Sequence, residues 1–382
     1  MKIRKLLWMK FITFLCLILI TGCWNYREID KLAIVAGVAI DKDKNGQYLI
    51  TAEIVQINSG MEAQSTQITM QGKTIFDAVR NEISLSGSKL YWSHTKAVII
   101  SKDIAEEGIL RIVDWFNWDS ETRADLNLLV SREKTAREVL VGQGVTENIK
   151  SFEIDEMLKN EKSLSKAPVT EIWKFINDLE APGIVAVLPT IKFKKSNQQK
   201  LPQLMGTAMF KKDKLIGFLN PDLTKDMLFV KDEVKGGLIV VGGKEKAIKT
   251  PLSLEIFKNE TKVEPVFQNQ DITFNIKIKT RVALDEFEGR ENYTDEEVLK
   301  KLESNVEKEL KRKVENCIKT VQSEYGVDIF GFGAKIREEN PRKWNEIAIN
   351  WENKFKDVKV HVTTSVHIKG SGMLADPLEM GD

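Results

Sequence analysis

Three residue types in this chain could carry chemistry: three cysteines, three histidines and 56 carboxylates. Cys23 has the most telling neighbours. It follows Ile20, Thr21 and Gly22, which close an apolar run at 11–20 preceded by Lys2, Arg4, Lys5 and Lys10. A branched apolar residue, two small residues and a cysteine, in that order, resemble the lipobox of bacterial lipoprotein processing. The chemistry expected there is alkylation of the Cys23 thiol by a diacylglycerol and cleavage between Gly22 and Cys23. The freed amine is then a second acylation point, for a chain such as palmitate. Residues 1–22 are accordingly expected to be a lipoprotein signal peptide. An apolar run of ten residues at about 1.5 Å each cannot cross a hydrocarbon core of about 30 Å, so it reads as a leader and not as a spanning helix. The competing readings of Cys23 are a core cysteine or an ordinary secretory cleavage nearby.

The other groups do not converge. Cys16 leaves with the leader, and with Cys23 lipidated Cys317 has no disulfide partner. Cys317 lies among Val314, Ile318 and Val321 at helical spacing and reads as a small core residue. His361 and His367 share one face of a strand, but six residues separate them by about 20 Å, too far for one metal. His94, in an apolar stretch between Ser93 and Thr95, reads as a hydrogen-bonded structural histidine and not as a ligand contact. No HExxH, GxSxG, Walker or CxxC pattern occurs, and the carboxylates from Asp103 onward and in the Glu-rich segment read as solvated faces. Trp115, Phe116 and Trp118 are expected to pack in the core, with an exposed patch for a membrane protein or lipid surface as the alternative. No catalytic residue, metal site or cofactor site is expected.

Elements that would carry these groups follow from periodicity. The β-branched run 32–40, the turn at Asn45-Gly46 and the strand 48–57 read as a hairpin. The polar stretch 59–71 reads as a loop, 74–85 as a helix, 90–101 as one buried strand and 102–116 as a helix. A short strand at 126–130, helices at 135–141, 152–162 and 169–179 and a strand at 184–193 follow. A hairpin at 205–219, a helix at 223–229 and a Gly-rich strand at 236–243 make a small middle region. Last come the alternating strand 271–284, a long helix opened by Thr294 and Glu297 as a capping box, a second helix through Trp344, Ile347, Trp351 and Phe355, and the alternating strand 358–368. The fold class is mixed α/β (α+β). The expected domains are 23–197, an N-terminal mixed α/β domain; 198–262, a small middle domain; and 263–382, a C-terminal α/β domain.

Charge narrows the function. The 382 residues carry 57 basic and 56 acidic side chains, and losing the leader removes only basic ones. No clustered basic surface suggests a nucleic-acid partner. From Cys23 to Leu32 is nine steps, which span at most about 30 Å when extended. No Gly/Ser or Pro linker adds reach. The body is therefore expected to sit against a membrane surface, and two or more acyl chains would hold it there durably.

Several blocks taken together are similar to one family. They are GCWNYREIDKLAIVAGVAID at 22–41, GKTIFDAVR at 72–80, LYWSHTKAVIIS at 90–101 and GTAMFKKDKLIGFL at 206–219. Near the end come FGFGAKI, then NPRKWNEIAINW, a phenylalanine, a strand and a glycine. This order resembles the Ger(x)C family of spore germination lipoproteins, the C subunits of nutrient germinant receptors; Asn25 stands where an acidic residue is common. The resemblance implies an elongated body of three α/β domains, each a sheet flanked by helices. It also implies lipid attachment at the outer face of the spore inner membrane. The implied partners are a membrane A subunit and a B subunit similar to amino-acid transporters. Two roles remain: a non-catalytic scaffold docking those subunits, or a lipid-anchored solute-binding protein that captures the germinant itself. The dissimilar regions and the lack of convergent polar residues favour the scaffold. A cell-envelope enzyme is the weakest reading.

Overall fold

The structure, a computed structural model, describes residues 2–19, 32–57, 63–142, 144, 146–196, 199–242, 252–268, 271–287 and 295–369. Helix α1 (Lys2–Leu19) precedes the body. Among the described residues no helix is long and apolar enough to cross a membrane.

The first sheet begins with β1 (Leu32–Lys42), β2 (Tyr48–Ile57) and β3 (Ala63–Gly72). The β1–β2 hairpin forms as the Asn-Gly turn predicts, with Lys42 opposite Tyr48 and Gly46 at φ +78°. The Asp43 carboxylate locks it by accepting from the backbone of Asn45 and Gln47, each at 2.8 Å. β3 replaces the loop expected at 59–71. Its polar composition reflects an edge strand exposed over much of its length, paired antiparallel to β2 and tied by a 3.0 Å Thr51–Thr69 hydroxyl contact. Such positions tolerate Thr, Ser and Gln because little of the side chain need be apolar.

Helices α2 (Ile75–Asn81) and α3 (Ile83–Ser86) lead to β4 (Lys89–Tyr91) and β5 (Ala97–Ile100). The expected single strand at 90–101 is thus two strands split by a turn. Both run parallel to β1, β4 along its first residues and β5 along Gly37–Ile40. α4 (Lys102–Glu107) and α5 (Leu110–Trp118), broken at Gly108, connect to β6 (Asn127–Ser131). α6 (Ala136–Val141), α7 (Lys150–Asn160) and α8 (Ile172–Glu180) then connect to β7 (Val187–Ser196). Parallel strands require such crossovers and are buried on both faces. Hence the apolar residues of β1 from Val35 to Ile40, of β5 and of β6 are at or near zero exposure. β8 (Gln199–Lys211) and β9 (Lys214–Leu219) finish the sheet, in the order β3-β2-β1-β5-β6-β7-β8-β9 with β4 beside β1.

The polar stretch 194–200 is therefore a hairpin tip, with Ser196 opposite Gln199, and the first sheet continues past the expected boundary at 197/198. α9 (Pro221–Val230) follows, and then the second sheet, β10 (Leu238–Val241), β11 (Leu252–Gln268), β12 (Asp271–Phe287) and β13 (Lys359–Lys369), in that order. The expected middle domain is shared out: its hairpin joins the first sheet, and β10 and β11 join the second. The described residues form two sheets, not three.

Between β12 and β13 lie α10 (Glu296–Thr320), a π turn at Val321–Tyr325, α11 (Phe332–Glu339), α12 (Pro341–Ile347) and α13 (Trp351–Asp357). Leu302, Val306, Leu310, Val314 and Ile318 form the buried stripe of α10, as the i+4 spacing predicts. Its cap is Asp295, which accepts from Glu297 N at 2.8 Å; Thr294 lies outside the described residues. The second sheet packs in one core with α9–α13 and with Val187, Met209 and Leu219 of the first sheet. The two halves also touch backbone to backbone. Val185 N donates to Asp328 O and Ala334 N to Gly183 O, both at 2.8 Å.

Buried carboxylates hold several helix starts, and Asp328 is an exception to the solvated acids expected from Asp103 onward. Asp41 accepts from Ala136 N and Arg137 N at 2.8 and 3.0 Å. Glu53, fully buried, accepts from Lys150 N and Ser151 N, both at 2.8 Å, and from two serine hydroxyls. Asp328 accepts from Gly331 N, Phe332 N, Gly333 N and Trp351 Nε1 at 2.8–3.1 Å. Backbone N–H groups at a helix start have no partner within the helix, and a carboxylate there also meets the positive end of its dipole.

Candidate functional site

Gly22 and Cys23 lie outside the described residues. The chain is described again from Leu32, already hydrogen-bonded in the sheet: Leu32, Ala33 and Ile34 pair with Lys89, Leu90 and Tyr91. Several side chains cluster around this entry point. Lys89 Nζ reaches Glu121 Oε1 at 2.6 Å. Trp92, one residue past β4, packs edge-on against Trp115 and Phe116 at ring-centre distances of 5.0 and 6.1 Å. The aromatic triplet thus divides: Phe116 is buried and Trp115 half-buried, as core packing requires, while Trp118 is 85% exposed. Leu85 and Ile83, on the short helix before β4, are also exposed. His94 is exposed in the β4–β5 turn, not within a strand, with its ring centre 6.1 Å from that of Tyr91.

A second feature escaped the sequence. A cavity of about 590 Å³ opens between α9, β10, α10 and the segment at 164–166. Its apolar wall includes Leu223, Phe229 and Ile239, and its polar groups include Lys166, Asp222, Lys225, Asp226, Arg312 and Lys313. Arg312 is held by Glu309 in a two-pronged bridge of 2.8 and 2.9 Å. Lys225 Nζ donates to Leu238 O at 2.9 Å. Burial pushes the Asp226 carboxyl up to about 7, against the pull of Lys313 nearby. Burial likewise pushes Lys225 down. Cys317 lies beside Asp226, fully buried, with its thiol 3.3 Å from Leu223 O. Burial and the neighbouring acid raise that thiol well above its usual range, so it is a core group and not a nucleophile. Around its apolar wall the cavity brings together four basic groups, Lys166, Lys225, Arg312 and Lys313, and three acidic ones, Asp222, Asp226 and Glu309. On each helix alone these charges read as a solvated face. Only the docking of α9 on α10 brings them together.

The last strand carries the other histidines on its polar face. His361 stands opposite Asn275, and His367 Nδ1 lies 3.3 Å from Glu303 Oε1. Among the described residues no group of three or more His, Cys, Asp or Glu could hold a metal ion.

Comparison with known proteins agrees with this architecture. The family model "Spore germination protein N-terminal domain" matches residues 25–193. The model "Spore germination B3/GerAC like, C-terminal" matches residues 205–372. The seam between the two matches falls in the β7–β8 hairpin. Among curated relatives, "Spore germination protein B3" of Bacillus subtilis is 25% identical, covering 94% of this chain and 97% of its own. "Spore germination protein YndF" of the same organism is 27% identical over 96% of each chain. "Spore germination protein GerQC" of Bacillus cereus is 25% identical, covering 95% of this chain and 99% of its own. The crystal structure of the GerBC protein superposes with a TM-score of 0.58 at 22% identity, covering 87% of this chain and 96% of that one, and so shares the fold. With both family domains matched in order along a mixed α/β chain of this topology, the protein belongs to the Ger(x)C family of spore germination proteins.

Proposed function

We propose that this chain is the lipid-anchored C subunit of a spore germinant receptor. It is a non-catalytic scaffold that acts with membrane A and B subunits in nutrient-triggered germination. Its place is the outer face of the spore inner membrane, held by a diacylglyceryl group on Cys23 after cleavage behind Gly22. One observation carries the reading: only nine steps separate Cys23 from Leu32, which is already a paired residue of the first sheet. A lipid on Cys23 therefore leaves the folded body within about 30 Å of the bilayer, where membrane subunits are within contact. The test is Cys23→Ala in the native sporulating cell, scoring membrane retention and nutrient response together. The expected result is loss of both. Retention with normal germination would show that partner contacts alone suffice and would remove the anchor from the mechanism.

A second reading draws on the cavity beside Asp226. Its volume of about 590 Å³ suits a small solute, since ligand pockets run from about 300 to 1,000 Å³. In this reading the chain captures the germinant itself. Calorimetric titration of the Cys23→Ala protein with the nutrients that trigger the intact spore separates the two. Saturable binding lost in Lys313→Glu favours capture, and no heat with any nutrient favours the scaffold.

A further inference from the structure

We propose that Ile83, Leu85 and Trp118 form a membrane-contact face that lies in the lipid headgroup region, so that the body meets the bilayer in one orientation. This rests on the lipid-anchor reading of Cys23. The position of the face carries the argument. Leu32, where the tether ends, pairs with Lys89, and Lys89 is bound to Glu121 at 2.6 Å. Trp118, the last residue of α5, lies three residues before Glu121, and Leu85 lies four residues before Lys89. The face thus adjoins the point at which the anchored chain enters the fold. A tether of at most about 30 Å, without a Gly/Ser or Pro stretch in its sequence, keeps this end of the molecule next to the surface that holds the lipid.

The side chains suit that surface. Trp118 is 85% exposed, Leu85 63% and Ile83 40%. Trp118 is not a core residue short of space, because Trp115 and Phe116 from the same helix already fill the pocket against Trp92. Indole rings favour the boundary between headgroups and acyl chains, where the ring body is apolar and the N–H meets water. Of the charges near the face, Lys89 pairs with Glu121 and Arg123 with Asp125 at 2.8 Å, while Asp119, next to Trp118, adds an acid and not a cation. Contact therefore depends on insertion of apolar groups and not on attraction to anionic lipid, and added salt should leave it intact.

The test uses the full lipidated protein reconstituted in phosphatidylcholine vesicles that carry brominated acyl chains, which quench tryptophan at contact. Trp24, next to Cys23 in the sequence, reports the anchor, and Trp118 reports the face. Mass spectrometry of Cys23 records the lipid. The expected result is a quenched component that shrinks in Trp118→Phe by about as much as in Trp24→Phe and persists at high salt. Quenching lost in Trp24→Phe but unchanged in Trp118→Phe overturns this inference and leaves the anchor standing. A bare Cys23 with no quenched component overturns the anchor reading itself. Trp118 quenching that vanishes when the A and B subunits are co-reconstituted gives the face to a protein partner and also overturns the proposal. Trp118→Phe is a surface change, and an unchanged near-ultraviolet circular dichroism spectrum confirms that the fold is intact.

Discussion

At the residue scale, buried carboxylates serve as helix caps, Asp41 and Glu53 from a distance and Asp328 from close by. Glu53 sits in β2, yet it satisfies the first N–H groups of α7, almost a hundred positions later. Glu53→Ala leaves those donors buried and unmatched, and should cost about 3 kcal/mol, read as a lower denaturant midpoint. Glu53→Gln keeps one acceptor and should cost less. Asp328 carries a pH signature. Burial raises it from 3.8 to about 6 despite four hydrogen bonds. The folded chain then holds this proton more tightly than the unfolded chain, so stability is greatest below pH 3.8 on this account and falls as pH rises towards about 6. The fall is about 3 kcal/mol at about 1.4 kcal/mol per pH unit. Thermal melts of Asp328→Asn between pH 4 and 7 should lack that share of the slope; Asp226, raised to about 7, should contribute its own. None of this was legible in the sequence, because an acid that caps a distant helix looks the same as one in solvent. Cys317 was legible: an apolar helical stripe around a small thiol specifies burial directly.

At the element scale, periodicity located what it could physically encode. The α10 stripe, the alternating β12 and β13 and the β1–β2 turn all stand where the pattern puts them. β3 and β11 did not announce themselves. β3 is an exposed edge, and the second half of β11, from Val263 to Phe267, is half-buried on both faces, so neither shows the apolar alternation by which a strand is recognised. The long interval 102–116 read as one helix because its apolar spacing survives the break, while Gly108 at φ +136° turns the chain between α4 and α5. For α10, Ile318→Ala should cost about 3 kcal/mol through a cavity under the sheet. Glu315→Ala, which loses a solvent-exposed 3.8 Å bridge to Lys311, should change stability by less than about 0.5 kcal/mol. Urea unfolding of the two variants side by side distinguishes stripe from face.

At the scale of the whole molecule, the core of the second sheet takes in Val187, Met209 and Leu219 of the first, and the junction is tight enough to exclude a single methyl group. Gly183 has φ +88°, and a Cβ there would meet Gly333 C at 2.5 Å and Ala334 N at 2.6 Å. Gly183→Ala should cost about 3 kcal/mol. It should also part the unfolding of the halves, seen as a split calorimetric transition where the parent shows one. Sequence reading placed a seam near 197/198, where the two family domains also divide. It missed the pairing across that seam because a polar hairpin tip and a polar linker have the same composition. The cavity beside Asp226 was hidden for a related reason: its walls come from segments more than a hundred residues apart.

The parallel pairing of β12 with β13 has a bearing on biogenesis. A chain is synthesised from its N-terminus onward, and β13 spans Lys359–Lys369, seventy-two residues after β12 ends. Until that strand arrives, the seventeen-residue β12 presents an open ladder on one side, a ready template for intermolecular pairing and a target for proteases. Chains clipped before Lys359 would keep this edge permanently. Interrupted synthesis therefore yields no stable partial product: the second half of the molecule closes its sheet only when its last strand has been made.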